Sequence, residues 1–376
     1  MLAGTLLLLA LLQSARQAAA RAPPRAPPTF DDFWEGDACW RTDIETVGGS
    51  FTGRQFIVDA PDGSGEVWDY TTVANKTSAG TSYNCVVLFR STDRGRSFAQ
   101  FHSSPGSELP CLVPDPSDIV QQQYPAVAPL PQDGPEYSHG QRLVMVYETG
   151  GANFYRTSAD GLKWSNKTHV AETGACQADA TGLPFERKHC GGCASDNRTV
   201  LRGAPPGIFL DRPSGELYHL LNTGACPGSM SCLRGKSMSD LSLCKSNPLF
   251  VGGTTQNQSH AFDYHFASGA QLLHTTEAHY YLSYQGEGEV QWWRAGLARV
   301  KAEHGIDSAH WEKYNTTGEW FDPGHNGGNR TYHTQEGSLL SVWKDRDTNI
   351  TYRYYRRSRK IGSGRDVLEW CNAEPA

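Results

Sequence analysis

The sequence predicts an all-β fold, a five-bladed β-propeller braced by disulfide bonds. The composition is the first observation, since 39 Gly, 21 Pro, 16 Tyr, 14 Phe and 10 Trp in 376 residues suit many short strands joined by turns. The second is a loose repeat, in which units of roughly 45–65 residues each offer three or four strand-like segments. Because one such unit cannot bury both of its faces, the repeat favours a closed ring of units.

Five units can be recognised along the chain. Their strand-like segments cover the ranges 66–101, 123–164, 205–241, 262–314 and 334–370. The segment WRTDIETVGG (40–49) precedes the first unit and is predicted to complete the last one. A two-sheet β-sandwich is the main alternative, but its strands are expected about every 8–12 residues without the longer repeat.

The N-terminal region is predicted to lie outside the folded domain. Its apolar run Leu2–Leu12 is shorter than the roughly 20 residues that span a bilayer. We therefore interpret residues 1–20 as a secretory signal peptide, although no basic residue precedes the run; an uncleaved membrane anchor is the alternative. Residues 21–36 are a Pro-rich leader, and 37–376 are expected to form a single propeller domain. We expect no membrane span after signal removal, and a secreted, extracellular protein.

The cysteines also point to an oxidising compartment. There are ten, and an even number in an exported chain indicates up to five disulfide bonds, whose pairing the sequence leaves open. Six of them lie between 176 and 244, where we expect cross-linked loops. The sequence CGGC (190–193) is a possible redox pair, but no thioredoxin-like βαβ pattern surrounds it.

Seven N-x-S/T sequons predict a glycoprotein, since chance neighbours would supply only about two. Each asparagine should then lie on an exposed loop. The seven are Asn75, Asn166, Asn197, Asn257, Asn315, Asn329 and Asn349.

Charge and histidine spacing argue against two classes of partner. A net charge of −6 gives no basic surface for nucleic acid. No H-x-x-x-H spacing, which would indicate a metal site, occurs among His260, His265, His274 and His279. We therefore predict no nucleic-acid partner, no metal and no other cofactor, and an ion on the propeller axis cannot be read from the sequence.

A short motif after the first apolar strand carries a resemblance. The segment STDRGRSF (91–98) resembles the Asp-box of sialidases and related propellers, S-x-D-x-G-x-[ST]-[WF]. SADGLKW (158–164) looks like a shortened second copy, and HGIDSAHW (304–311) like a decayed third. In such a hairpin the Asp accepts hydrogen bonds from turn N–H groups and the Gly supplies a positive φ. Asp93 and Asp160 are therefore predicted to be structural, not catalytic.

A second resemblance extends diffusely over residues 120–345. It is carried by YETGGANFYRTSADGLKW (147–164), GIFLDRPSGELYHLL (207–221) and HYYLSYQGEGEV (279–290). These segments are similar to recurring ones in five-bladed glycoside hydrolases of the arabinanase, xylosidase and fructosidase type. The resemblance implies three carboxylates on inner strands at a central funnel: a base or nucleophile, a general acid and a pKa modulator.

Glycoside hydrolysis needs two carboxyl groups, one protonated and one ionised. The leading candidates are Asp263 in FDYHF and Glu336 in HTQEGSL, followed by Asp43 and Glu148; the alternative for each is a surface or turn carboxylate. Aromatic and imidazole side chains are expected to line a sugar-binding platform. They are Tyr124, His265, His333 and Trp292.

The chain departs from the patterns it resembles in three ways. The acidic signatures of the family's first blade are not legible here. Gln285 stands where a Glu would be expected, and the F-R-I-P element of true sialidases is missing. The main hypothesis is a secreted glycoside hydrolase-like protein acting on a glycan. The second is a non-catalytic propeller that binds glycans or protein partners at the extracellular surface. The third is a disulfide-braced cell-surface or matrix protein without a small ligand. The sugar, the stereochemical outcome and the oligomeric state are not predicted.

Overall fold

The computed structural model describes most of the chain, and all structural statements below refer to these residues: 25–47, 56–76, 80, 82–102, 110–113, 115, 122–149, 152–170, 207–222, 229–252, 263, 266–287, 294–314, 341–358 and 362–371. Strands dominate. In chain order they are β1 (Ala38–Val47), β2 (Phe56–Asp59), β3 (Val67–Lys76), β4 (Ser82–Ser91), β5 (Ala99–Phe101), β6 (Gln123–Pro129), β7 (Leu143–Thr149), β8 (Ala152–Ser158), β9 (Thr168–His169), β10 (Gly207–Asp211), β11 (Glu216–Asn222), β12 (Ser229–Gly235), β13 (Ser242–Leu243), β14 (Phe250–Val251), β15 (Phe266–Thr275), β16 (His279–Glu287), β17 (Arg294–Lys301), β18 (Glu312–Lys313), β19 (Ser341–Lys344), β20 (Thr351–Ser358) and β21 (Gly362–Trp370). The helical elements of the described part are α1 (Phe30–Glu35), α2 (Pro135–Ser138) and a 3-10 turn at Ala302–His304.

These strands form five antiparallel sheets, which we number as blades in chain order. Blade 1 is β2-β3-β4-β5, blade 2 is β6-β7-β8-β9, and blade 3 is β10-β11-β12-β13 with β14 also on β12. Blade 4 is β15-β16-β17-β18, and blade 5 is β19-β20-β21-β1. The inner strands β2, β6, β10, β15 and β19 contact one another in sequence, and β19 contacts β2. This closed ring confirms the predicted five-bladed propeller and excludes the two-sheet sandwich.

Blade 5 is built from both ends of the chain. Strand β1 pairs antiparallel with β21, with Ala38 opposite Trp370 and Trp40 opposite Leu368. A disulfide joins Cys39 to Cys371 across this pair, with the two Cα atoms 4.9 Å apart. The N-terminal segment therefore completes the last blade, as its sequence predicted, and closes the ring.

The hydrophobic core lies between neighbouring blades. A strand in the middle of a blade is therefore buried on both sides of its sheet. The CVVLF run (85–89) in β4 shows the consequence. Val86 and Leu88 join the cluster between blades 1 and 2, whereas Val87 and Phe89 join the cluster between blades 5 and 1. Because successive side chains point to opposite faces of a strand, burial on both sides requires the continuous apolar run that the sequence contains.

The two short motifs form the tight turns that their sequences predicted. Asp93 Oδ1 accepts hydrogen bonds from the backbone N–H groups of Arg96 (3.1 Å) and Ser97 (2.9 Å), and Gly95 has a φ of 75°. Burial alone would raise the pKa of Asp93, but its hydrogen bonds from Ser97, Ser91 and Arg96 hold it below the usual value. Each hydrogen bond that Asp93 accepts favours its ionised form. The carboxylate therefore serves to bind the N–H groups of the turn.

Asp160 has the same role in the turn of blade 2. Its Oδ1 accepts from the N–H groups of Leu162 and Lys163, both at 2.8 Å. The ring of Trp164 packs edge-on against Tyr70 of blade 1, which ties this turn to the neighbouring blade.

Three disulfide bonds lie within the described residues, which confirms the disulfide bracing. Besides Cys39–Cys371 they are Cys85–Cys111 and Cys232–Cys244. The CGGC sequence lies outside the described residues, as do the predicted signal peptide and the first part of the leader. Within the described part, no helix is both long and apolar enough to cross a bilayer.

Two of the seven sequon asparagines can be located by their side chains. Asn166 and Asn349 are exposed, as a glycan would require. Asn75 lies on β3, but its side chain is outside the described set, as are Asn197, Asn257, Asn315 and Asn329 entirely. Glycosylation therefore stays a prediction.

Candidate functional site

We call the face of the ring where the innermost strands begin the upper face. On blade 2 it carries a strained residue: Tyr124, near the start of β6, has a φ of 53°. Positive φ is a genuine outlier for a bulky side chain, and such strain tends to gather at functional sites. The pairing of β6 with β7 shifts register between Gln123 and Ala126 at the same place, so a bulge presents Tyr124 at this face.

A row of polar side chains crosses blade 2 beside this bulge. Gln123 lies opposite Glu148, and Glu148 lies opposite Asn153. Residues directly opposite one another in antiparallel strands point to the same side of the sheet. Glu148 is half-buried. One of the predicted carboxylates is therefore flanked by two amides at the upper face.

The row continues into blade 3 through a buried histidine. Asn153 Nδ2 lies 3.5 Å from His219 Nε2, and His219 Nδ1 lies 3.1 Å from the carbonyl oxygen of Gly207. A carbonyl oxygen only accepts, so Nδ1 carries the proton and Nε2 accepts from the Asn153 amide. Burial lowers the pKa of His219 to about 4, despite the opposing bond to Gly207. The imidazole is therefore neutral, and its tautomer is fixed.

A second set of hydrogen bonds joins the innermost strands of blades 1, 4 and 5. Ser341 Oγ of β19 accepts from the N–H of Ile57 in β2 at 3.0 Å. Gln271 Nε2 of β15 donates to the same Oγ at 3.3 Å. Gln271 Oε1 is buried without a hydrogen-bond partner among the described residues. The inner strands of blades 1, 4 and 5 are thus linked by uncharged polar groups.

Asp69 in β3 adds a carboxyl group to the inner part of blade 1. It is fully buried, its Oδ1 accepts from the N–H of Phe56 at 3.0 Å, and its Oδ2 has no partner in the described part of the chain. Burial raises the pKa of Asp69 to about 8, against the smaller opposing effect of the Phe56 bond. The group is therefore a neutral acid at pH 7.

This raised pKa predicts a pH-dependent stability. An unfolded Asp loses its proton near pH 3.9, whereas native Asp69 keeps it to about pH 8. Stability is therefore unaffected by Asp69 below the unfolded pKa and falls as pH rises towards the folded pKa. Relative to wild type, Asp69→Asn should gain about 3–4 kcal/mol of unfolding free energy between pH 5 and pH 8.

Urea unfolding of both proteins at the two pH values measures this difference. Asp240→Asn, which changes an exposed carboxylate of blade 3, is the matched control and should leave the pH dependence as in wild type. A parallel pH dependence of wild type and Asp69→Asn would show that Asp69 is ionised in the native state.

Asp263, a leading candidate, is held in a buried ion pair. It precedes β15 and is 0% exposed. Its Oδ2 accepts from Tyr284 Oη at 2.9 Å and lies 3.0 Å from Lys313 Nζ. Lys313 is on the outermost strand β18 and also donates to the carbonyl of Val251 in β14. Burial, with the adjacent Asp263, raises the pKa of Tyr284 well above its usual value. These contacts direct the carboxylate towards outer strands of blades 3 and 4.

The remaining predicted site residues are spread over the ring. Asp43 lies on β1, the outermost strand of blade 5, where Arg365 Nε donates to it at 2.7 Å. Asp43, Glu148 and Asp263 thus lie on three different blades, and of these Glu148 is the one beside the row at the upper face. Outside the described residues lie Glu336, His265, His333 and Trp292.

Sequence reasoning missed His219, Asn153, Gln271 and Asp69. One signal was present, since a histidine or carboxylate at an inward position of an otherwise apolar strand indicates a buried polar group. Within the described residues, no group of three or more His, Cys, Asp or Glu side chains is arranged to hold a metal ion.

No family model and no curated protein matches the sequence. Solved structures do match the fold. An endo-arabinase from Bacteroides thetaiotaomicron aligns over 89% of this chain and 99% of its own, with a TM-score of 0.51 and 10% identity. An α-L-arabinofuranosidase from Podospora anserina, solved with cellotriose, aligns over 89% and 96%, with a TM-score of 0.50 and 12% identity. The catalytic domain of a Coprinopsis cinerea α-L-arabinofuranosidase aligns over 90% and 98%, with a TM-score of 0.50 and 13% identity.

Identities this low establish the fold alone. These three structures are those of glycoside hydrolases, in agreement with the resemblance found in the sequence, and the chain shares their fold over about 90% of its length.

Proposed function

We propose that the protein is an exported glycoside hydrolase that acts on a glycan at the upper face of the ring. The observation that carries this proposal is the placement of Glu148, half-buried and flanked by amides, beside the strained Tyr124. Carboxylate and amide groups both hydrogen-bond sugar hydroxyls, and a tyrosine ring offers a face for sugar C–H groups.

Roles follow for the other candidates. Glu336 is the proposed second carboxylate, because it precedes β19, the innermost strand next to β15 in the ring. Asp263 is proposed to hold Lys313 and Tyr284 in place through its buried contacts, and not to be the proton donor. His265, His333 and Trp292 are proposed to complete the sugar platform with Tyr124. Asp43 is proposed to lie outside this site, because Arg365 contacts it on an outer strand.

Export is supported by the disulfide bonds. Three such bonds in the described part of one chain are typical of oxidising compartments and rare in the cytosol. Together with the seven sequons, they support an extracellular glycoprotein whose partner is a carbohydrate.

Hydrolysis of a panel of aryl glycosides, including arabinofuranosides, tests the proposal. Wild type should cleave at least one, and Glu148→Gln and Glu336→Gln should each lower kcat by about 100-fold or more, since each removes a group that transfers a proton or attacks carbon. Glu277→Gln changes an exposed carboxylate in the turn before β16 and should leave kcat unchanged. A wild type that cleaves no glycoside contradicts the activity; full activity in both variants contradicts the site.

A non-catalytic glycan-binding propeller is the second candidate, and one observation favours it. Asp263 is completely buried and paired with Lys313, which removes a leading carboxylate from contact with substrate. Retention of glycans on an array without turnover, abolished by Tyr124→Ala, would support this function over hydrolysis.

A further inference from the structure

The face of the ring where the innermost strands end carries a second, separate recess. It is an open cavity of 440 Å³ on blade 4, which we call the histidine groove. Its lining residues are His279, Lys301, His304, His310, Trp311 and Glu312. His279 begins β16 and Lys301 ends β17 opposite it, so the groove lies at the end of the blade opposite to Asp263 and the upper face.

Basic side chains dominate the groove. The rings of His304 and His310 lie side by side, with centroids 4.7 Å apart and planes tilted by 35°. Both histidines are exposed, as is Lys301. The hairpin between them is fixed, because Trp311 Nε1 donates to the carbonyl of Ile306 at 3.0 Å. Two imidazoles and one ammonium group thus lie close to one another at the connection between β17 and β18.

Several acidic groups around the groove contact basic side chains, and one of these, His279, lines the groove itself. Asp31 of α1 contacts His279 Nδ1 at 2.7 Å, and Glu312 accepts from Arg299 at 3.1 Å. Glu35 of α1 also pairs with Arg299, so two carboxylates share one guanidinium group.

Besides Glu312, which lines the groove, Glu303 faces the proposed cations. Glu303 Oε1 lies 3.7 Å from Lys301 Nζ and 3.9 Å from His304 Nε2, and Glu277 occupies the exposed turn before His279. An exposed ion pair at such distances contributes little, so Glu303 is a weak partner for both Lys301 and His304.

We propose that the histidine groove binds the oxyanion groups of an acidic polysaccharide, sulfate esters or carboxylates, more tightly at acidic than at neutral pH. Imidazole side chains gain a proton between about pH 7 and pH 5. Two adjacent imidazolium rings repel each other, and an anion bound between them offsets that repulsion. Protonation of such a pair therefore favours anion binding. A recess of this volume that is open to solvent accommodates a sugar unit with its charged substituent.

A transition-metal ion is the competing occupant, and the structure favours the anion. Within the described residues, no set of three or more potential ligands is arranged for a metal, and Lys301 adds a positive charge to the same wall. The pH dependence also differs, because metals bind the neutral imidazole and are lost on acidification. The inference does not rest on the proposed hydrolase activity, which concerns the other face.

Binding of the full-length protein to immobilised dextran sulfate and to polygalacturonate, with uncharged dextran as the blank, tests the proposal. Affinity should rise several-fold from about pH 7.5 to about pH 5. The double variant His304→Gln/His310→Gln should lose about tenfold in affinity at the lower pH and little at the higher pH. Lys301→Gln should weaken binding at both values. The arm that shows binding identifies sulfate or carboxylate as the ligand group.

A matched control separates the groove from general charge, because acidification protonates histidines over the whole molecule. His102→Gln/His139→Gln removes two exposed histidines from blades 1 and 2 and should bind like wild type. An equal loss in both double variants, or no loss in either, overturns the proposal. So does Zn²⁺ binding at about pH 7.5 that His304→Gln/His310→Gln abolishes while neither polysaccharide binds. Unchanged thermal unfolding of each variant verifies that the fold is intact.

Discussion

Replacing Gly207 with alanine is expected to lower the free energy of unfolding by about 3 kcal/mol or more. A Cβ atom at this position would lie 1.8 Å from the carbonyl oxygen of Ala270 and 2.9 Å from its carbonyl carbon. Both are backbone atoms of the neighbouring inner strand β15, which cannot rotate away as a side chain can. Strands β10 and β15 would have to separate, and the ring would open where blades 3 and 4 meet. Guanidinium unfolding of the variant measures the loss.

Gly63→Ala is the control for this substitution. Gly63 has a φ of +72°, but a Cβ there meets nothing within 4 Å. Its cost of about 1 kcal/mol comes from the backbone conformation alone. Similar losses in the two variants would mean that close approach of the inner strands is not what requires a glycine at 207.

The fold could be predicted because its signals are local. Runs such as CVVLF (85–89) and turns such as STDRGRSF (91–98) specify a strand and its hairpin from adjacent residues, and their repetition indicates a ring. The hydrogen bonds of Asp93 and Asp160 are likewise local, spanning two to four residues. Their structural role was therefore predictable from the motif.

The site was harder to predict because its contacts are between distant parts of the chain. Asp263 is paired with Lys313, 50 residues away, and Asp43 with Arg365, 322 residues away. Neither partner is close in the sequence. The local sequence therefore does not show that these two carboxylates are ion-paired. Asn153 and His219 meet only because blades 2 and 3 pack together. A residue pattern specifies which face a side chain occupies, but inter-blade packing decides what it meets.

Removing the ring-closing disulfide, by Cys39→Ala/Cys371→Ala, is expected to lower the free energy of unfolding by about 6 kcal/mol. The bond connects residues 332 positions apart, almost the whole chain. In the chain-entropy account, a cross-link stabilises by restricting the unfolded ensemble, and the effect grows with the logarithm of the loop. The same bond also fastens β1 to β21 and so closes blade 5. Its loss should favour opening of the ring at this blade, measurable as faster hydrogen exchange in β1 than in β3.

The bond between Cys232 and Cys244 provides the internal comparison, because it closes a loop with a separation of only 12 and lies within blade 3. Cys232→Ala/Cys244→Ala should cost about 3 kcal/mol by the same relation, and it should leave exchange in β1 unchanged. The difference between the two double variants isolates the contribution of the long closure from the general loss of buried sulfur. Equal losses, with no selective exchange in β1, would mean that strand pairing alone holds the ring shut and that the disulfide is dispensable for closure.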